Sequence, residues 1–249
     1  MFSSSSRPRH SKNEFLNSLP VEDFASIEPF LETVYLEQGA ELINFGSKVT
    51  HVYFPQSGLI SLVVRLDTGK MVEVAMVGRS GVFGASAALY GQVALTTAVV
   101  QLTGYATTLS VSRLRMLAAK NAAFRTALIK YKQSLFIEIQ QTVACLASHT
   151  SDARIATWLL RARDISGDSS LPLTREFLSE MLGLHRNAVS AVAQSLQNAG
   201  LIKYSRGRVD VVDSEGLKHA ACECYAKVQA VSRGLAVAET LEANFAPAL

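Results

Sequence analysis

Acidic side chains are absent from residues 183 to 208, a stretch that carries four basic ones, and charge of either sign is absent from residues 80 to 112. The second gap does not make a membrane span. Gly81, Gly84, Gly91 and Gly104, with Gln92, Gln101 and several threonines, interrupt it, so about 18 consecutive apolar residues never occur. Cysteine is scarce and odd in number, and of Cys145, Cys222 and Cys224 the last two lie too close in the chain to staple a fold. His219 with Cys222 and Cys224 lacks a fourth ligand and the wider spacing of a zinc knuckle, so no metal and no cofactor is expected. The opening Met-Phe, four serines and Arg7-Pro8-Arg9 lack the apolar core and cleavage site of a signal peptide, which leaves a soluble cytoplasmic protein as the expectation.

What is present is oily and balanced: 49% of the 249 residues are hydrophobic and 18% charged, with a net charge of +3. Mean hydropathy is +0.20, which excludes a disordered chain. The length allows one large domain or two modest ones.

The pattern changes along the chain. Helical spacing of Phe24, Ile27 and Leu31 marks short helices before residue 33. Then come β-rich runs at Val34 to Leu36, Leu42 to Asn44, His51 to Phe54, Leu59 to Leu66, Met71 to Val77 and Ala94 to Gln101. Glycine-containing breaks separate them, Asp67-Thr68-Gly69 being a hairpin signal. With no helices between them, these runs predict an antiparallel barrel or sandwich in residues 1 to 111. Gly78, Gly81 and Gly84 read as turns of that barrel, since no phosphate-loop or dinucleotide pattern surrounds them.

Residues 112 to 150 read as helix, first a short one capped by Ser112 and then a long one capped by Asn121. On the long helix Phe124, Leu128, Tyr131, Leu135, Ile139, Thr142 and Leu146 follow a near-heptad. Packing against the barrel would use such a stripe, but about seven turns outrun a small barrel, and a parallel helix from a second subunit is expected.

Residues 151 to 213 hold the most specific pattern. After a helix from Asp152 to Ile165, Thr174 caps a helix to Met181 or Leu182 and Gly183 breaks it. A second helix runs from Arg186 to Asn198, and two strands flank Ser205-Arg206-Gly207-Arg208. Helix, glycine turn, helix and hairpin make a winged helix-turn-helix. Val189, Val192 and Leu196 supply the buried face of the second helix. Arg186, Asn187, Ser190 and Gln194 fall on its other faces, where a major groove can be read, Arg186 by a bidentate contact to guanine. Lys203, Arg206 and Arg208 on the wing suit phosphates. Residues 214 to 249 form an alanine-rich helical tail without a motif.

The run Leu173-Thr174-Arg175-Glu176-Phe177-Leu178, continued by Gly183-Leu184-His185-Arg186 and Gly200-Leu201-Ile202, resembles the DNA-binding signature of the Crp/Fnr superfamily of bacterial transcription regulators, and the likeness extends from Phe24 to Val212. The resemblance implies an α+β chain: an N-terminal jelly-roll barrel of the cyclic-nucleotide-binding type, a long dimerisation helix and a C-terminal winged helix-turn-helix. It also implies a homodimer that binds a pseudo-palindromic site on double-stranded DNA and works with RNA polymerase. Arg186 falls at the position of the family's base-reading arginine, and Thr174, Arg175 and His185 join the candidate DNA contacts. Asn187 and Ala191 replace the glutamate and second arginine of the best-known members, so a different target sequence is expected.

The barrel departs further from the family. Cyclic AMP-binding members pair an arginine with the phosphate and a glutamate with the ribose. The matching text here is Phe83-Gly84-Ala85-Ser86 and Thr96-Thr97-Ala98, with both charges gone. A phosphate would have to rely on backbone amides and the hydroxyls of Ser86, Thr96 and Thr97, so binding of cyclic AMP by the usual contacts is not expected. The candidate effector pocket is Gly84, Ala85, Ser86, Thr96 and Thr97, with Gln140 and Gln141 from the long helix. An iron–sulfur sensor needs four cysteines, and His51 is the one barrel histidine available to a haem. The five histidines, His10, His51, His149, His185 and His219, are scattered, which argues against a cupin-like metal enzyme and against catalysis generally.

Overall fold

The structure is a computed structural model that describes residues 11–91 and 93–232. Helices α1 (Glu14–Asn17) and α2 (Val21–Ile27) lead through a 3-10 turn into β1 (Glu32–Leu36), β2 (Glu41–Ile43), β3 (His51–Pro55), β4 (Leu59–Arg65) and β5 (Met71–Val77). Helix α3 (Ala85–Tyr90), β6 (Thr97–Leu102) and β7 (Gly104–Ser110) complete this half. The strands form two antiparallel sheets, ordered β1-β7-β3 and β2-β6-β4-β5, in a jelly-roll-like sandwich. Leu36 and Ala106 from one sheet meet Ile60, Leu62, Val77 and Val100 from the other in a shared core.

The β4–β5 hairpin closes at Asp67-Thr68-Gly69, with Gly69 at φ +81°. Two features differ from the sequence expectation. A helix, α3, follows Gly84, because an alanine-rich run after a left-handed glycine starts a turn of helix rather than a barrel turn. β7 was not legible because threonines occupy its buried positions 107 and 108, hiding the apolar alternation. Gly104 begins it where a Cβ would lie 2.3 Å from the Ser57 carbonyl oxygen.

Helix α4 (Val111–Lys120) starts after Ser110 rather than at Ser112, and α5 (Ala122–Ser148) is capped as expected, Asn121 Oδ1 accepting from the Phe124 amide at 2.8 Å. Much of the apolar stripe of α5 packs on its own chain. Phe124 and Leu128 are buried beside α1 and α4, and the Phe15 ring lies 6.2 Å from Phe124 and 6.1 Å from Tyr131. Leu135 and Ile139 pack on the sandwich core. Thr142 and Leu146 line a small cavity beside Trp158. The N-terminal helices widen the surface α5 can cover, which a heptad count cannot reveal. Ile129, Phe136 and Val143, seven residues apart, are left 37%, 59% and 57% exposed on another face of α5.

After α6 (Ser151–Ser166) come β8 (Ser170–Leu171), α7 (Arg175–Met181), α8 (Arg186–Asn198), β9 (Ile202–Ser205), β10 (Arg208–Val211), α9 (Ser214–Ala220) and α10 (Cys224–Ser232). Helix α10 lies against α5 and α6. The N-terminal arm before residue 11 and the tail beyond 232 lie outside the described residues. One core joins the halves, since Leu59, Met76 and Leu102 of the sandwich cluster with Trp158, Leu159 and Leu178. At that junction Arg161 of α6 ion-pairs with Glu138 of α5, both nearly buried. Glu138 also accepts from the Met76 amide at 2.9 Å, and Glu73 accepts from the Trp158 indole at 2.8 Å and from Ser61.

Candidate DNA interface and effector pocket

The helix-turn-helix forms where its caps and glycine demand. Thr174 Oγ1 accepts from the Phe177 amide at 3.1 Å to start α7. Gly183, at φ +59°, turns the chain, and Ser179 Oγ donates to the Leu184 carbonyl at 2.6 Å to hold the turn. Val189, Val192, Ala193 and Leu196 of α8 are buried, while Arg186, Asn187, Ala191 and Gln194 are exposed. The amphipathic reading of α8 therefore holds, with Ser190 half-buried at the edge and Gln194 donating to Asn198 Oδ1 at 2.8 Å. His185 stands exposed at the N-cap of α8 with no side-chain cap bond, beside amides that suit an anion.

The wing turns tightly because Arg206 (φ +47°) and Gly207 (φ +74°) are both left-handed, the two-residue hairpin geometry that matches strand twist. Lys203, Arg206 and Arg208 are exposed, with Arg208 donating to Ser170 Oγ at 2.9 Å. Tyr204 fixes the wing to the helices: its amide donates to Gln197 Oε1 at 2.8 Å and its hydroxyl to the Leu173 carbonyl at 2.8 Å. Arg175 is half-buried with its guanidinium over the Tyr204 ring at 5.0 Å, and Thr174 is exposed beside it. Sequence reasoning missed Tyr204 as an anchor, since an aromatic in a strand reads simply as strand.

Between sandwich and α5 lies a cavity of about 260 Å³. Gly84, Ala85, Ser86 and Thr96 line it as expected, together with Phe83, Tyr131 and Phe136. Thr97 does not: it is buried on β6 with its hydroxyl accepting from the Phe45 amide at 3.2 Å. Gln140 is exposed, and Gln141 donates to Cys224 Sγ at 3.0 Å instead of reaching the cavity. Residues four apart on a helix share a face, and it is Tyr131, Leu135 and Ile139 that α5 turns inward. Among the described residues Lys132 is the one charged side chain of the lining, its ammonium 4.7 Å from the Tyr90 ring centre. Thr96 Oγ1 is already donating to the Val63 carbonyl at 3.1 Å. His51 is exposed and pairs with Thr50 Oγ1 at 3.1 Å, away from the cavity.

The cysteines fall differently from the sequence expectation. Cys222 and Cys224 are joined by Cys145 and His149 from the end of α5, and His219 is not part of the group. Cys145 and His149 are more than 70 residues from Cys222 and Cys224 in the chain, so no local spacing could show the group.

A jelly-roll sandwich with a pocket against a long helix, followed by an exposed reading helix and basic wing, defines a two-domain transcription regulator. Residues 33–121 match the family described as cyclic nucleotide-binding domain, and residues 153–220 match the Crp-like helix-turn-helix domain. The chain belongs to the Crp/Fnr family of transcription regulators. It is 28% identical over 211 residues to the transcriptional activator protein anr of Pseudomonas aeruginosa, covering 79% of this chain and 84% of that one. The transcriptional activator protein FnrA of Stutzerimonas stutzeri is 26% identical over 214 residues, covering 80% and 85%. In fold the chain is similar to FixK2 from Bradyrhizobium japonicum, with a TM-score of 0.66 at 17% identity over 77% of this chain and 98% of that one. Among the described residues no helix is long and apolar enough to cross a membrane.

Proposed function

We propose that this chain acts as a cytoplasmic homodimer that reads a pseudo-palindromic DNA site, is not an enzyme, and answers to an uncharged, largely apolar effector rather than to a cyclic nucleotide. The observation that carries the DNA reading is the exposed Arg186–Asn187 pair opening α8, flanked by Lys203, Arg206 and Arg208 on a wing held in place by Tyr204. Arg186 serves as base reader, Asn187, Ser190 and Gln194 as neighbouring contacts, and the wing cations, with Thr174, Arg175 and His185, as phosphate anchors. Two copies meeting through Ile129, Phe136 and Val143 place two readers on one face of DNA, so half-sites one helical turn apart follow from symmetry. Contact with RNA polymerase completes regulation.

The effector reading rests on the cavity. A cyclic phosphate there would find no arginine among the described lining residues, and Lys132, the one cation, holds its ammonium over the Tyr90 ring, whereas Phe83, Leu62, Ala85 and Ile139 suit an apolar molecule. Such a ligand would bear on α5 and shift the population of dimers competent for DNA. Selection of bound duplexes from a random pool, with and without metabolite extract, tests both points. Inverted repeats are the expected product. Failure to retain any duplex at low salt would overturn the DNA reading, and enrichment that depends on added cyclic AMP would overturn the effector reading.

A further inference from the structure

We propose that Cys145, His149, Cys222 and Cys224 form a mononuclear zinc site that staples the DNA-binding domain to the end of the long helix. The Sγ atoms of the three cysteines and one ring nitrogen of His149 all lie within 4.8 Å of one another. Cys145 Sγ is 3.5 Å from Cys222 Sγ, and Cys224 Sγ is 3.6 Å from His149 Nδ1. A tetrahedral zinc with ordinary bond lengths has sulfur–sulfur edges of about 3.8 Å and sulfur–nitrogen edges of about 3.6 Å. These edges suit one ion, whereas an iron–sulfur cluster spreads its ligands around a multi-iron core.

The surroundings are those of ligands rather than of idle thiols. His149 turns Nδ1 toward Cys224 and Nε2 toward Glu223 Oε2 at 3.1 Å, the carboxylate–imidazole arrangement that fixes the ring of a metal-bound histidine. Gln141 Nε2 donates to Cys224 Sγ at 3.0 Å. Thr157 Oγ1 accepts from the Cys222 amide at 3.2 Å, leaving its proton for Cys222 Sγ, also at 3.2 Å. Arg154 lines the same small cavity as Cys145 and Cys224, and its buried Nε has no hydrogen-bond partner among the described residues. Zinc with three thiolates and a neutral imidazole carries one net negative charge, which that guanidinium balances. Binding releases three thiol protons to solvent, with no electron exchanged.

The position has a mechanical consequence. His149 is the C-cap of α5 and Thr150 the N-cap of α6, so the chain bends between dimer helix and DNA-binding domain at this point. Cys222 and Cys224 come from the segment after the wing and close the bend from the other side. Zinc occupancy would thus hold the domain in one orientation, a statement that rests on the DNA reading above.

The test uses untagged, full-length protein produced with zinc, passed over a desalting column and analysed for metal and thiols. One zinc per chain is expected, with the three thiols shielded until a chelator is added. Cobalt added to the stripped protein should give a sulfur-to-cobalt charge-transfer band and the intense visible bands of a tetrahedral site. Cys222→Ser should lose both signals, and Glu223→Gln should keep the spectrum while weakening affinity about 10- to 100-fold. Sub-stoichiometric zinc together with an absent or octahedral cobalt spectrum in the wild-type protein would overturn the proposal, as would a Cys145–Cys222 disulfide in the freshly isolated reduced-buffer preparation. The wild-type measurements need no variant to fold. If zinc is present but no DNA is retained, the DNA reading fails and the metal site stands.

Discussion

Replacing Arg161 by methionine tests whether the buried junction holds the two halves together. Its guanidinium, 9% exposed at the side chain, faces Glu138 at 11%, and Glu73 lies close enough for its carboxyl to feel the same cation. Removing one partner of such a pair strands a buried charge, which costs about 3–5 kcal/mol. With a urea dependence of about 3 kcal/mol/M, the upper value for small proteins, the unfolding midpoint should fall by about 1–2 M. Adding Glu138→Gln to Arg161→Met removes the stranded carboxylate while keeping an acceptor for the Met76 amide, so part of the loss should return. Urea titration of the dimer, followed by Trp158 fluorescence, measures all three proteins. An Arg161→Met variant within about 1 kcal/mol of the wild type, or a double variant weaker than the single one, would refute the reasoning.

The same junction sets a pH dependence. Burial pushes the Glu73 carboxyl up to about 7 from an ordinary 4.5, against hydrogen bonds from Ser61 and Trp158 and the Arg161 charge, which pull it down. The folded protein therefore holds a proton that the unfolded chain has released. Glu73's contribution to stability is full below pH 4.5 and declines as pH rises through about 7. Glu73→Gln should remove that decline, and an unchanged pH profile of the urea midpoint would refute the assignment.

Arg186→Ala should cost about 1–3 kcal/mol of discrimination at one base pair of each half-site, seen in competition with substituted operators; unchanged selectivity would dismiss Arg186 as the base reader. Arg206→Ala removes one phosphate contact from each subunit, so the slope of log affinity against log salt should shrink by about 1.8 with little change in sequence preference. Phe136→Glu should convert the dimer to monomer in sedimentation, and a persistent dimer would show that the exposed face of α5 is not the interface. Ala85→Phe, which fills the cavity, should lower binding of an apolar fluorescent probe, and equal binding would place the ligand elsewhere.

The DNA-binding half was the most legible part of the chain. Capping by Thr174, the turn at Gly183 and the buried stripe of α8 are local consequences of side-chain chemistry, and each formed where its residues predict. The sensor half was less so. β7 hid behind buried threonines, and α3 followed a glycine that reads equally well as a turn.

By itself the sequence determined the succession of a β-rich half, a long helix and a winged helix, and which side chains of the second helix and wing stay exposed, because periodicity, caps and turn residues act within a few positions of themselves. Only the tertiary structure decided which surface each face would meet. It turned much of the heptad of α5 onto its own chain and left Ile129, Phe136 and Val143 exposed on another face. It drew Gln141 away from the cavity, and it carried Cys145 and His149 to Cys222 and Cys224 across more than 70 residues. Those outcomes depend on how separate elements pack, and packing joins atoms whose separation along the chain leaves no local signature.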